Sequence, residues 1–133
     1  MLKICQDWPK EAFDDKLIDA KYWDDFEKNA TLAAAEVFRV KDLAAAKAKT
    51  AELIKEFECK KVIATCGDNN AGIKKIYEEL STPEVPIYTE KFEIAEHAPT
   101  ADLGLSVAEF GVGETGGVCV DTYSYEARVT GML

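Results

Sequence analysis

The chain has 133 residues, 47% of them hydrophobic and 31% charged, a composition typical of one soluble globular domain. Its 25 acidic and 16 basic residues give a formal net charge of −9, which repels nucleic-acid phosphates and anionic membrane surfaces. We therefore expect no nucleic-acid partner, and no membrane insertion either, since no stretch approaches the roughly 20 apolar residues of a membrane helix. A small anionic ligand remains compatible with this charge, because backbone N–H groups attract anions at short range.

The first residues lack the apolar core of a signal peptide, so we expect a cytoplasmic protein with reduced thiols. The chain has one histidine and four cysteines, and no two cysteines form a C-x-x-C pair. This spacing does not suit a zinc or iron–sulfur site, so we expect no metal and no cofactor in this chain. The cysteines are Cys5, Cys59, Cys66 and Cys119.

The first half of the chain predicts two helices with a strand between them. Apolar residues recur at helical spacing over about residues 10–29, which predicts an amphipathic N-terminal helix. Residues 34–40, AAEVFRV, predict a short strand. Asp42 is the expected N-cap of a helix over residues 43–58, whose apolar positions form one stripe. The stripe consists of Leu43, Ala46, Thr50, Leu53, Ile54 and Phe57.

The middle of the chain predicts a strand, a loop, a helix and another strand. The apolar run KKVIATC (60–66) is typical of a strand buried in a parallel sheet. IKKIYEEL (73–80) has helical periodicity, with Asn69 or Asn70 as its cap, and VPIYTE (85–90) predicts a further strand. This alternation predicts an α/β domain with a mainly parallel sheet.

The loop after the buried strand is a candidate binding site. Gly67, Asp68, Asn69 and Asn70 follow the carboxyl end of that strand, where open α/β sheets bind ligands. Free backbone N–H groups and the helix dipole would suit a phosphate or carboxylate there. The alternative is an ordinary βα loop with asparagine caps. The alternatives for His97 are acid–base chemistry and a place in the connection to the next strand, and we expect the second.

Gly111, Gly113 and Gly116 have the G-x-G-x-x-G spacing of a dinucleotide-binding loop. Such a loop requires a helix after its last glycine. Residues 117–125, GVCVDTYSY, instead have the two-residue period of a strand. The sequence therefore excludes dinucleotide binding here and predicts two strands joined by the turn GETGG.

Glu114 is the charged residue of this turn. If the preceding strand runs through, Glu114 lies on the same side as Phe110 and Val112, where a carboxylate needs a partner. Arg128 is the local candidate for that partner. The alternative is an ordinary glycine turn whose glutamate satisfies nearby N–H groups.

Residues 101–120, ADLGLSVAEFGVGETGGVCV, followed by an arginine in EARVTGML, resemble the signature of the lactate-utilisation (LUD) domain family. That signature runs roughly A-D-x-G-x-[ST]-x-[AC]-[DE]-[FV]-x-[IVL]-[AG]-E-[ST]-G-[ST]-[VI]-x-[VL]. The matching positions are Ala101, Asp102, Gly104, Ser106, Ala108, Glu109, Phe110, Gly113, Glu114, Thr115, Gly116, Val118 and Val120.

The resemblance implies a fold like that of ribose-5-phosphate isomerases and coenzyme A transferases, a doubly wound, mainly parallel sheet flanked by helices. It also implies a role in oxidising lactate to pyruvate, as a non-cluster subunit or accessory protein. Iron–sulfur clusters are then expected only in separate partner proteins. A homo-oligomer is a further expected form of association.

The chain departs from the family pattern in two places. Gly117 stands where relatives often have serine or threonine. Family members also continue beyond the arginine with more strands and helices, whereas this chain ends with Val129, Met132 and Leu133, which read like the start of a strand. The chain is then either a naturally short member or the N-terminal part of a longer protein, and we expect the second. This gives one LUD-type domain over 1–133, with its signature at 101–128 and its C-terminal part absent.

Glu114 is the catalytic candidate, as base or nucleophile by analogy with the glutamate of coenzyme A transferases. The rival hypotheses are a stand-alone enzyme using Glu114 on a coenzyme A-linked or sugar-phosphate substrate, and a structural interaction module. The remaining candidates share an expected contact with a small anionic ligand. They are Gly113, Thr115, Gly116, Arg128, Gly67, Asp68, Asn69 and Asn70.

Overall fold

The structure, a computed structural model, describes residues 18–65, 70–120 and 124–131. In these ranges the α-helices are α1 (Tyr22–Leu32), α2 (Leu43–Glu56), α3 (Ala71–Leu80), α4 (Lys91–His97) and α5 (Tyr125–Thr130), and a 3₁₀-helix spans Ala98–Thr100. The strands are β1 (Val62–Ala64), β2 (Ile87–Tyr88), β3 (Leu103–Leu105), β4 (Ala108–Val112) and β5 (Gly117–Val120).

The described chain divides into two compact units. We call them the turn unit, whose described residues are 18–37 and 111–117, and the sheet unit, which holds the rest. The turn unit contains α1 and the GETGG turn, and the sheet unit contains the parallel strands and the remaining helices. The single LUD-type domain over residues 1–133 remains a prediction.

The sheet unit is built around β1, the central strand of a parallel sheet in the order β2-β1-β3. Val62 pairs with Ile87 on one side and with Leu103 on the other. All three residues of β1 are buried, as expected for a strand covered on both faces. Val62 and Ala64 pack with residues of α2 and α3, while Ile63 packs with residues of α4 and α5.

This arrangement confirms the α/β class with a parallel sheet. Successive side chains of a strand point to opposite faces, so one short apolar run supplies the core of both layers. The likeness to ribose-5-phosphate isomerases and coenzyme A transferases remains a prediction.

The predictions that rest on strong local patterns are confirmed. Asp42 caps α2, where its carboxylate accepts a hydrogen bond from the N–H of Ala45 at 2.8 Å. The apolar run 60–66 contains β1, and the periodic segment 73–80 belongs to α3. β2 lies inside the predicted strand 85–90.

The N-terminal helix has different bounds from those predicted. Residues 10–17 lie outside the described ranges, and α1 begins only at Tyr22. The Asp19 carboxylate accepts the N–H of Lys21 at 3.0 Å, a local turn that competes with helix. The helix ends after Leu32, because Ala34 adopts a φ of 66°.

The predicted strand at 34–40 is wrong, because residues 35–40 adopt no regular structure. This segment carries the chain from the turn unit to the sheet unit. A strand requires a neighbour to share its backbone hydrogen bonds, and β-propensity alone does not supply one.

Two short helices were missed. His97 is the last residue of α4 rather than part of an irregular connection, and its ring stacks on Tyr88 with centroids 3.8 Å apart.

The second missed helix is α5. Val129 belongs to this helix, not to a strand, and it packs against the buried cluster that contains Ile63 and Ile94. The Ser124 hydroxyl caps α5 by accepting the N–H of Ala127 at 3.0 Å. Met132 and Leu133 lie outside the described residues.

Candidate functional site

The GETGG turn joins β4 to β5 and places Glu114 at its tip. Strand β4 ends at Val112, whose carbonyl accepts the N–H of Gly116 at 2.9 Å. The strand therefore does not continue through Glu114, and this side chain is exposed to solvent rather than buried on an apolar face. The condition for an apolar setting of Glu114, a strand that runs through it, is thus not met, because the turn breaks the alternation.

The signature glycines allow the turn to lie close to α1. Gly116 has a φ of +69°, and a Cβ atom added to it would lie 2.6 Å from the Cα of Ala30. A Cβ on Gly113 would lie 3.1 Å from the carbonyl oxygen of Tyr22. Gly113 and Gly116 of the G-x-G-x-x-G spacing thus allow the turn to contact the helix backbone.

Asn29 of α1 holds the same turn through its side chain. Its Nδ2 donates to the carbonyl oxygen of Gly113 at 2.9 Å and to that of Glu114 at 3.0 Å. Sequence reasoning missed this residue, since 84 positions separate it from Gly113. No local signal pointed to it either, because the predicted helix ended at residue 29, and asparagine is common at the end of a helix.

Thr115 contributes a hydroxyl to the turn. Its Oγ1 accepts the N–H of Gly117 at 3.2 Å, which leaves the hydroxyl proton available to a ligand. A Cβ added to Gly117 would meet that same oxygen at 3.2 Å and nothing closer. A serine or threonine at this position would therefore need only a small movement of Thr115.

The other predicted ligand residues belong to the sheet unit. Asn70 is at the N-cap position of α3, where its side chain makes no capping hydrogen bond. Arg128 lies on α5 with an exposed side chain. Gly67, Asp68 and Asn69 lie outside the described residues. The contact of these residues with an anionic ligand, and the pairing of Arg128 with Glu114, therefore remain predictions.

Asp102 is a signature residue for which the structure shows a role within the fold. Its carboxylate accepts the backbone N–H of Lys60 at 2.8 Å and that of Lys61 at 3.0 Å. Its own N–H donates to the carbonyl of Lys61 at 2.9 Å. These bonds tie the segment before β1 to the segment before β3. The two backbone hydrogen bonds, assisted by the lysine charges, hold the pKa of Asp102 below its usual value.

We expect Asp102→Asn to lower the melting temperature by about 5 °C at pH 7, because a neutral amide accepts these N–H groups less strongly. A carboxylate with a lowered folded-state pKa stabilises the fold above its unfolded pKa of about 3.9, and this stabilisation is lost as the pH falls through the folded value. The difference between the two proteins should therefore shrink below about pH 4. Melting curves from pH 2 to 8 measure it, with Glu84→Gln, an exposed carboxylate of the same unit, as control.

Among the residues that the structure describes, no three His, Cys, Asp or Glu side chains are grouped so as to hold a metal ion. Cys59 is buried, and burial, with a smaller contribution from the charge of Asp102, raises the pKa of its thiol. Cys119 is exposed, whereas Cys5 and Cys66 lie outside the described residues. No helix in the described ranges is both long and apolar enough to cross a membrane.

A parallel sheet covered by helices on both faces, together with a glycine turn that carries an exposed glutamate, defines an α/β protein with a candidate site on a hairpin. The model of the LUD domain matches residues 23–133, which include α1 from its second residue and the complete GETGG turn. The chain belongs to the LUD domain family, a domain associated with lactate utilisation proteins. No curated protein and no solved structure matches the chain.

Proposed function

We propose that this chain acts in lactate utilisation as a cytoplasmic, non-cluster subunit or accessory protein that works with iron–sulfur proteins to oxidise lactate to pyruvate. The family match across the signature is the observation that carries the proposal. The geometry of the turn supports it, since the glycines and Asn29 fix the backbone while Glu114 is directed to solvent, where a substrate can reach it.

Oxidation of lactate to pyruvate removes two electrons and two protons. In this proposal the Glu114 carboxylate accepts the proton of the lactate hydroxyl as a general base. The C–H bond of the carbon that bears this hydroxyl breaks, its two electrons pass to the partner iron–sulfur proteins, and its proton is released to water. The substrate carboxylate requires a donor, for which the Thr115 hydroxyl, next to Glu114 in the same turn, is proposed.

A second candidate function is a structural interaction module. The observation in its favour is that the contact of the turn with α1 accounts for Gly113 and Gly116 without a ligand. A module of this kind would need the shape of the turn, but it would not need the charge of Glu114.

We expect Glu114→Gln to reduce lactate-dependent dye reduction about 100-fold or more, because a general base contributes on that order. The assay uses the tagged protein purified from its lactate-grown host with its bound partners, which mass spectrometry identifies. The exposed side chain of Glu114 should make this substitution neutral for folding and for partner recovery. Glu109→Gln, an exposed glutamate of β4, is the matched control and should retain full activity.

The outcomes separate the candidate functions. Recovery of cysteine-rich iron–sulfur proteins with activity that depends on Glu114 supports the proposal. Partners recovered with full activity in Glu114→Gln would favour the interaction module. A protein recovered alone, with turnover on an acyl-coenzyme A or sugar phosphate that Glu114→Gln abolishes, would favour the stand-alone enzyme.

A further inference from the structure

We infer that Asn29 is the positioning residue of this site, because its side-chain amide fixes the direction in which Glu114 leaves the backbone. The inference rests on the proposed function, in which the Glu114 carboxylate is the base. It assigns a role to α1, a helix that precedes the signature by about 70 residues of chain.

The two carbonyl groups that Asn29 binds lie on either side of the Glu114 Cα. The Gly113 carbonyl belongs to the peptide unit before this atom and the Glu114 carbonyl to the unit after it. Peptide units are planar, so the rotation of one relative to the other is set by φ and ψ of Glu114 alone. A donor that holds both carbonyls at 2.9 and 3.0 Å keeps their oxygens close together and so restricts the combinations of these two angles, and with them the Cα–Cβ direction of the glutamate.

The chemistry of asparagine suits this position. Its NH₂ group has two hydrogens on one nitrogen, so a single atom can serve two carbonyl oxygens. The next residue, Ala30, is 3% exposed and is the one that Gly116 approaches. The turn is thus held at Gly113 and Glu114 by a side chain and at Gly116 by backbone packing, while the Glu114 side chain remains exposed.

Asn29→Asp is the sharpest test, because aspartate has nearly the same shape but its carboxylate has no hydrogen to donate. Asn29→Gln keeps the amide on a longer side chain and tests rescue by the donor group. Lys28→Ala removes an exposed side chain from the same helix turn and is the control.

The first readout is carbon-13 NMR of the backbone carbonyls in the full chain. Loss of the hydrogen bonds should move the carbonyl signals of Gly113 and Glu114 upfield in Asn29→Asp, with partial return in Asn29→Gln and no change in Lys28→Ala. Unchanged signals in Asn29→Asp would overturn the inference, whatever the activity of the protein.

The second readout is steady-state dye reduction by the complex recovered with its partners. A misdirected base lowers kcat and leaves the KM for lactate unchanged, and displacement by about 1 Å costs up to 100-fold. We therefore expect Asn29→Asp to lose 10- to 100-fold in kcat, with the same partners recovered.

These readouts distinguish two kinds of failure. If Glu114→Gln is inactive while Asn29→Asp keeps full kcat, the positioning role is wrong and the proposed function survives. If the carbonyl signals move but both variants keep full activity, the proposed base is wrong and the positioning role falls with it.

Discussion

Gly116→Ala is expected to detach the GETGG turn from α1 and to destabilise the turn unit by about 3 kcal/mol or more. A left-handed backbone at a residue with a Cβ costs about 1–2 kcal/mol. The added carbon would also lie 2.6 Å from the Ala30 Cα, a separation that requires the backbone of the turn or of the helix to move. The nearest atoms all belong to the backbone of Asn29 and Ala30, so the strain cannot relax through a side chain.

Hydrogen exchange of the α1 amides measures this effect directly, since exchange reports the local free energy of opening. Gly117→Ala is the matched control, because its Cβ would meet only the Thr115 hydroxyl at 3.2 Å. We expect that variant to cost less than about 1 kcal/mol. Equal protection of α1 in the two variants would show that the turn does not pack on the helix as described.

Ile63→Ala is expected to reduce the free energy of unfolding of the sheet unit by about 4 kcal/mol. Ile63 is 0% exposed at the centre of β1 and packs against Ile94 and Ala98. Removing a fully buried isoleucine side chain loses its transfer free energy and leaves a cavity, at a total cost of about 2–5 kcal/mol. The surrounding strands and helices cannot close this cavity without breaking the parallel pairing.

Urea unfolding followed by circular dichroism gives the magnitude. Phe92→Ala is the control in the same unit, because Phe92 is 83% exposed and its removal should change stability by less than about 0.5 kcal/mol. A loss below about 1 kcal/mol for Ile63→Ala would contradict the central position of β1.

Local signals were sufficient for the elements whose stability depends on their own residues. Asp42 has its partner three residues away, and the apolar run of β1 reports burial on both faces. Short elements that depend on contacts with distant residues were not predicted. Helix α5 has only six residues, and its Val129 is apolar because α5 packs on the sheet rather than because the segment is a strand.

In the candidate site, too, the features with local signals were predicted and the contacts between distant residues were not. The sequence located the turn and excluded a dinucleotide loop, because strand periodicity after Gly116 is a local signal. It could not show what the glycines contact. Gly111, for example, would place a Cβ 3.0 Å from the ring of Phe26, which is remote in the chain and adjacent only in the fold. The parity argument for Glu114 failed for a related reason, since the end of a strand depends on its turn.

The bond between Asn29 and Gly113 closes a loop of 84 residues, and this has a consequence for the order of folding. Long loops cost more entropy to close than local contacts do, and contacts of high sequence separation slow folding. We expect the parallel sheet and its helices to form first, because their formation already restricts much of the chain between Asn29 and Gly113. The signature turn then reaches its final shape last, when the N-terminal helix docks, so that a nascent chain acquires an ordered Glu114 only after the rest of its core has formed.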